Sequence, residues 1–168
     1  MKKIIVASVL ALAVLIAFAP FSSAEMAKEG SGSGIQYAIT KYNVLPMGKG
    51  VVQINYEGWG IARSDTGKGL GHNASTHIVG GLLAVKGVYK NDSGMVCFTL
   101  PDGDQLFMTY KASGVLGKTG KGTFTYVGGT GKFVGIQGGG EFTRHNLRPP
   151  AKGFGASFNV YKVNWKIP

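Results

Sequence analysis

The chain has 168 residues, 18 Lys and Arg against 8 Asp and Glu, a formal net charge of +10 and a single cysteine. That length suits one domain with a core of its own. One cysteine excludes a disulfide-stapled scaffold and is too few for a structural zinc site of the cysteine-rich kind.

The first segment reads as an address rather than as structure. Lys2 and Lys3 precede an uncharged apolar run from Ile4 to Ala19, Pro20 breaks it, and Ser22-Ser23-Ala24 follows. This order of basic, apolar and small residues is the pattern of a secretory signal peptide. The run is shorter than the ~20 apolar residues of a membrane-spanning helix. Residues 1–24 are therefore expected to be cleaved after Ala24, which places the mature protein in the periplasm or outside the cell. Residues 25–34, ending Gly30-Ser31-Gly32-Ser33-Gly34, have the composition of a flexible tether.

Residues 35–168 are short runs of β-formers divided by turn residues, with no helical periodicity of useful length. Strands are predicted near 35–46, 50–64, 75–90, 94–100, 105–113, 121–127, 132–144 and 154–167. Two hairpins are marked by their turns, Pro101-Asp102-Gly103-Asp104 and Gly128-Gly129-Thr130-Gly131. Sequential strands joined by short connections make a meander, and about eight can close on themselves. The expected fold is all-β, a single antiparallel up-and-down barrel.

A four-residue loop in the first hairpin would set Phe98 opposite Phe107, Cys97 opposite Met108 and Met95 opposite Tyr110. Both faces would then be largely apolar, which predicts a covered outer wall and a homo-oligomer. Cys97, between Val96 and Phe98, is expected to be a buried, inert thiol. Gly138-Gly139-Gly140 is expected to bend a strand.

Charge is unevenly spread along the chain. From Glu25 to Tyr110, seven basic residues balance seven acids, while from Lys111 to Pro168 there are nine basic residues and one acid, Glu141. Two readings stand: a solvated basic surface, or a basic face for an anionic partner such as a carboxylate ligand or an envelope surface. Nucleic acid is not an expected partner of an exported chain without a nucleic-acid motif.

Local motifs carry little chemistry. Ala112 to Thr119 nearly matches a phosphate-binding loop, but a strand rather than a helix follows it, so the mechanism of that loop is missing. His72, His77 and His145 have no metal-ligand spacing, no nucleophile elbow occurs, and neither metal nor cofactor is expected. What remains is the barrel interior. A small barrel can hold one ligand at its mouth. The candidate ligand-binding residues are Glu57, His77, Tyr110 and Arg144 as polar groups, with Trp59, Tyr126 and Trp165 among the aromatics.

The stretch from Gly122 to Ile136, with Gly128-Gly129-Thr130-Gly131 and the later Gly138-Gly139-Gly140, resembles the hairpin of allene oxide cyclase and dirigent-like barrels. The chain as a whole resembles small uncharacterised exported bacterial proteins carrying that hairpin. The resemblance implies an eight-stranded barrel with an apolar interior. Those barrels usually continue the turn with an aromatic–arginine segment, where this chain has Val134-Gly135-Ile136-Gln137.

Three functions follow as expectations. The first is an exported, non-enzymatic binder of a small apolar or amphipathic ligand, an anionic one among the options. The second is an isomerase or cyclase acting on a lipid-derived substrate in the barrel. The third is an envelope-associated structural protein with a basic face.

Overall fold

A computed structural model describes residues 26–168; the expected signal segment lies outside these described residues. Eight strands run in chain order: β1 (Glu29–Gly48), β2 (Val51–Ser64), β3 (Ala74–Val85), β4 (Val88–Thr99), β5 (Gln105–Val115), β6 (Gly120–Gly129), β7 (Gln137–Leu147) and β8 (Phe154–Lys166). Each pairs antiparallel with the next, and β8 pairs with β1, so the sheet is a closed up-and-down barrel as expected. Closure leaves no unpaired edge.

The expected tether is shorter than its composition implies. Glu29 to Gly34 belong to β1 and pair with Lys166 through Tyr161 of β8. Glycine and serine are poor strand formers alone, but a neighbouring strand supplies the ladder that holds them. Gly34 also leaves room for the Tyr161 ring, whose Cζ would lie 2.6 Å from an added Cβ.

The predicted strand 75–90 is two strands. Lys86 (φ 51°) and Gly87 (φ 79°) form a two-residue turn between paired Val85 and Val88. Such a turn needs positive φ at both central residues, and lysine in place of the usual Asn or Asp hides the signal.

The first hairpin is shifted by one residue from its expected pairing. Leu100 N–H donates to the Asp104 carbonyl at 2.9 Å and Gly103 N–H to the Leu100 carbonyl at 2.9 Å. Leu100 therefore belongs to the connection, and Phe98 pairs with Leu106, Cys97 with Phe107 and Val96 with Met108. A one-residue slip exchanges faces between partners. Val96, Phe98, Leu106, Met108 and Tyr110 are buried inside. Met95, Cys97, Thr99, Gln105, Phe107 and Thr109 share the outer side, which is mixed rather than apolar. Cys97 is accordingly half-buried on the outer wall, not in the core.

The second predicted hairpin forms, β6 pairing with β7, but its connection is longer than the expected four-residue turn. Gly131–Phe133 forms a short 3-10 turn, and β7 begins only at Gln137. Phe133, expected in a strand, is fully buried at the barrel end. With Leu70, Leu100 and Ile136 it closes that end against the core. The lower half of the barrel is filled by Val96, Phe98, Leu106, Met108, Phe124, Tyr126, Phe142 and Val163. Gly138 takes φ 114° at the start of β7, and Gly140 leaves room for the Phe124 ring, whose Cζ would lie 2.9 Å from an added Cβ.

A candidate ligand-binding cup on a buried polar floor

Seven of the eight strands send one polar side chain into the middle of the barrel, and these join into a single network. Asp92 on β4 has no exposure. Its Oδ2 accepts from Arg144 Nη1 at 2.6 Å and its Oδ1 from the Tyr56 hydroxyl at 2.5 Å. Tyr56 has spent its only proton on Asp92, so the Tyr110 hydroxyl, in contact with it, donates to the Tyr56 oxygen. On the other side Arg144 Nε donates to Asn159 Oδ1 at 3.4 Å. Asn159 Nδ2 donates to Gln36 Oε1 at 2.9 Å, and Gln36 Nε2 to Thr76 Oγ1 at 3.2 Å. Among the described residues, no buried side-chain nitrogen or oxygen lacks a partner. A fully connected network is the condition under which buried polar groups are tolerated.

Local sequence features make this arrangement possible. Asp92 faces inward because β4 carries an irregularity: Tyr89 pairs with Gly114 and Asp92 with Ala112, three residues on one strand against two on the other. Tyr89 and Asp92 are both buried although Lys90 and Asn91 between them are exposed. Strict alternation would have sent one of the two outward. Gly94 opposite makes space for Tyr110, whose hydroxyl would lie 2.6 Å from an added Cβ there.

The environment sets the protonation of these groups. Burial, then the Tyr110 and Asp92 dipoles and charges, pushes the Tyr56 hydroxyl well above the ordinary phenol range. Burial, then the Asp92 carboxylate, pushes Tyr110 up to about 12. Burial alone would favour a neutral Arg144, but Asp92 and the two phenols outweigh it and hold the guanidinium more firmly charged. At neutral pH the floor is therefore an ion pair flanked by two neutral phenols.

The network divides the interior. Below it, a cavity of about 60 Å³ lies between Leu70, Phe98, Phe124, Tyr126 and Phe142. It is far below the roughly 300 Å³ at which small-molecule sites begin. Above it, a cup of about 490 Å³ opens between the loops at the far end. Ala38, Val44, Val52, Ile54, Leu82, Leu147 and Phe154 form much of its wall, and Tyr56, Arg144 and Asn159 its floor. Arg144 has five N–H donors, of which the network uses those on Nη1 and Nε, so the guanidinium keeps donors for a guest.

The predicted residues separate into three groups. Arg144 and Tyr110 lie in the polar network, and Arg144 alone of the seven lines the cup. Tyr126 lines the small lower cavity, and Trp165 sits near the closed end, its Nε1 donating to the Ala27 carbonyl at 3.1 Å. Glu57, His77 and Trp59 are on the outer wall, which corrects their expected place in the pocket. His77 Nε2 and Glu57 Oε1 are 2.7 Å apart, and the Trp59 ring stacks on His77 at 5.7 Å. All three sit at strand positions whose neighbours in sequence, not they, face inward. Tyr56, Asp92 and Asn159 were missed. A tyrosine adjoining Glu57 could have been found by alternation, since Tyr56 and Glu57 must face opposite sides. Asp92 could not, because its direction depends on the irregularity in β4. Among the described residues no three His, Cys, Asp or Glu side chains converge as a metal site would require.

No protein-family model matches the chain, and no curated protein matches it. Among solved structures it is similar to the pterocarpan synthase dirigent protein GePTS1. The identity is 12% and the TM-score 0.28, over 86% of this chain and 90% of that one. The barrel assignment rests on the strand pairing described above.

Proposed function

We propose that this protein is an exported binder of a small amphipathic ligand, held in the open cup with an anionic or carbonyl oxygen on Arg144. The observation that carries this reading is a charged guanidinium, with donors to spare, at the floor of an apolar-walled cup of about 490 Å³. The apolar wall takes the body of the ligand and the floor fixes its orientation. Net charge on the floor is close to neutral, since Asp92 offsets Arg144, so recognition is by hydrogen bonds aimed at one oxygen rather than by a long-range field.

Native mass spectrometry of protein purified from its own host tests this. A co-purifying mass that disappears on Leu82→Trp, which fills the cup, is the expected result. Protein free of any bound mass, together with no binding of a fluorescent fatty-acid probe, would overturn it.

A second reading, an isomerase or cyclase, has one observation in its favour: the Tyr56 phenol on the cup floor is backed by the buried Asp92 carboxylate. Both Asp92 oxygens are engaged and Tyr56 holds its proton tightly, so neither is poised as a base at neutral pH. Binding is the stronger reading for that reason. Conversion of a bound lipid-derived substrate, abolished by Tyr56→Phe with binding intact, would reverse the preference.

A further inference from the structure

The barrel's two ends differ in charge. Its connections alternate between them, and the four at the cup's mouth are residues 49–50, 86–87, 116–119 and 148–153. They carry Lys49, Lys86, Lys118, Arg148 and Lys152, all exposed, and no acid. None of the five is in an ion pair among the described residues. At the closed end Lys132 bridges Asp102 and Asp104, and Asp65 accepts from the Ser33 hydroxyl. The basic charge of the mouth is thus free, whereas that of the closed end is partly neutralised.

The mouth also exposes apolar side chains at its tips. Leu45 and Met47, flanking Pro46 at the end of the β1–β2 hairpin, are each 60% exposed, and Leu116 in a neighbouring connection and Leu147 at the end of β7, both at the cup's lip, are partly exposed. These tips are held in place. Lys86 N–H donates to the Gly50 carbonyl at 2.6 Å and Leu116 N–H to the Gly87 carbonyl at 2.8 Å. Tyr42 N–H donates to the Gly153 carbonyl at 3.0 Å, and Asn146 Nδ2 to the Lys118 carbonyl at 2.5 Å. Each connection is tied to a neighbouring connection or strand, which makes a ring around the mouth.

We infer that this ring docks the protein, mouth first, on a bilayer containing anionic phospholipid. Cations spaced around a rim meet lipid phosphates, and leucine and methionine at the tips enter the boundary between headgroups and acyl chains. A second copy of the chain does not fit this end, since two such rims would bring unpaired cations together with no acid to meet them. Duplex nucleic acid would satisfy the charge but leave the apolar tips without a role. The inference stands whether or not the cup holds a ligand.

Sedimentation with vesicles tests it. The protein should bind phosphatidylcholine vesicles only when phosphatidylglycerol is included, and should be released at about 0.5 M salt, where charges are screened within a few ångströms. Lys49→Gln with Lys152→Gln should weaken binding about 25-fold, at about five-fold per cation. Lys86→Asn, which suits the positive φ there, should add a further factor of about five. Leu45→Ser with Met47→Ser should weaken binding while leaving its salt dependence unchanged. Equal binding to phosphatidylcholine alone, or full binding by the charge variants with an unchanged unfolding midpoint, would overturn the inference. So would unchanged vesicle binding by the Leu45/Met47 variant, or equal affinity for a DNA duplex. Loss of the co-purifying mass in the Leu82→Trp variant reports on the cup alone, so the two readings can fail separately.

Discussion

Arg144→Met is the perturbation that most directly probes the barrel's interior. Asp92 is wholly buried, and Arg144, with a side chain 19% exposed, is its only cationic partner among the described residues, at 2.6 Å. Removing one member of a buried pair leaves a carboxylate uncompensated, at a cost of about 3–5 kcal/mol. For a domain of this size that is a melting midpoint lower by about 6–20 °C. Methionine keeps much of the apolar stem, so lost packing is the smaller part. Combining Arg144→Met with Asp92→Asn removes the charge that was stranded, and the amide can still meet the Tyr56 hydroxyl. The double variant should recover at least half of the loss. Urea unfolding followed by circular dichroism of wild type, both single variants and the double variant completes the cycle. An Arg144→Met variant within about 1 kcal/mol of wild type would refute the reasoning. So would a double variant no more stable than Arg144→Met alone, since the coupling would then be absent.

Further outcomes follow from the same geometry. The Tyr110 proton is held up to about pH 12 in the fold against about 10 in the unfolded chain. Its contribution to stability is complete below about pH 10 and is lost as pH rises through about 12. Tyr110→Phe should flatten the fall in unfolding free energy across that window, and an unchanged slope would count against a buried phenol network. Gly94→Ala should destabilise the barrel by about 1–3 kcal/mol although alanine is the better strand residue. The added Cβ would lie 2.6 Å from the Tyr110 hydroxyl and 2.7 Å from Gly80 Cα; a gain in melting midpoint would contradict that close approach. Cys97, half-buried on the outer wall, should react with a maleimide in the native protein, more slowly than a free thiol but without prior unfolding. Labelling seen only in denaturant would place it in the core instead.

The fold was legible because turn residues and β-formers alternate along the whole chain. That pattern set the class of architecture and most strand positions, but not pairing. The hairpin at Pro101 was misread by one residue because a turn's hydrogen bonds, not its composition, decide where the ladder starts. The strand break at Lys86-Gly87 was missed because positive φ at lysine has no compositional mark. Arg144 was recognisable as an inward charge from its alternation with Phe142. Asp92 was not, because a local irregularity in β4 turns it inward.

By itself the sequence determined that this chain builds a β meander of about eight strands, with an excess of positive charge. It placed that excess in the last third of the chain. Only the tertiary structure showed that the charge is sorted by barrel end. Lys49 and Lys86, from the balanced part of the chain, join Lys118, Arg148 and Lys152 around one mouth. The reason is geometric: an up-and-down barrel delivers every second connection to the same end, so residues far apart in sequence become neighbours on one rim.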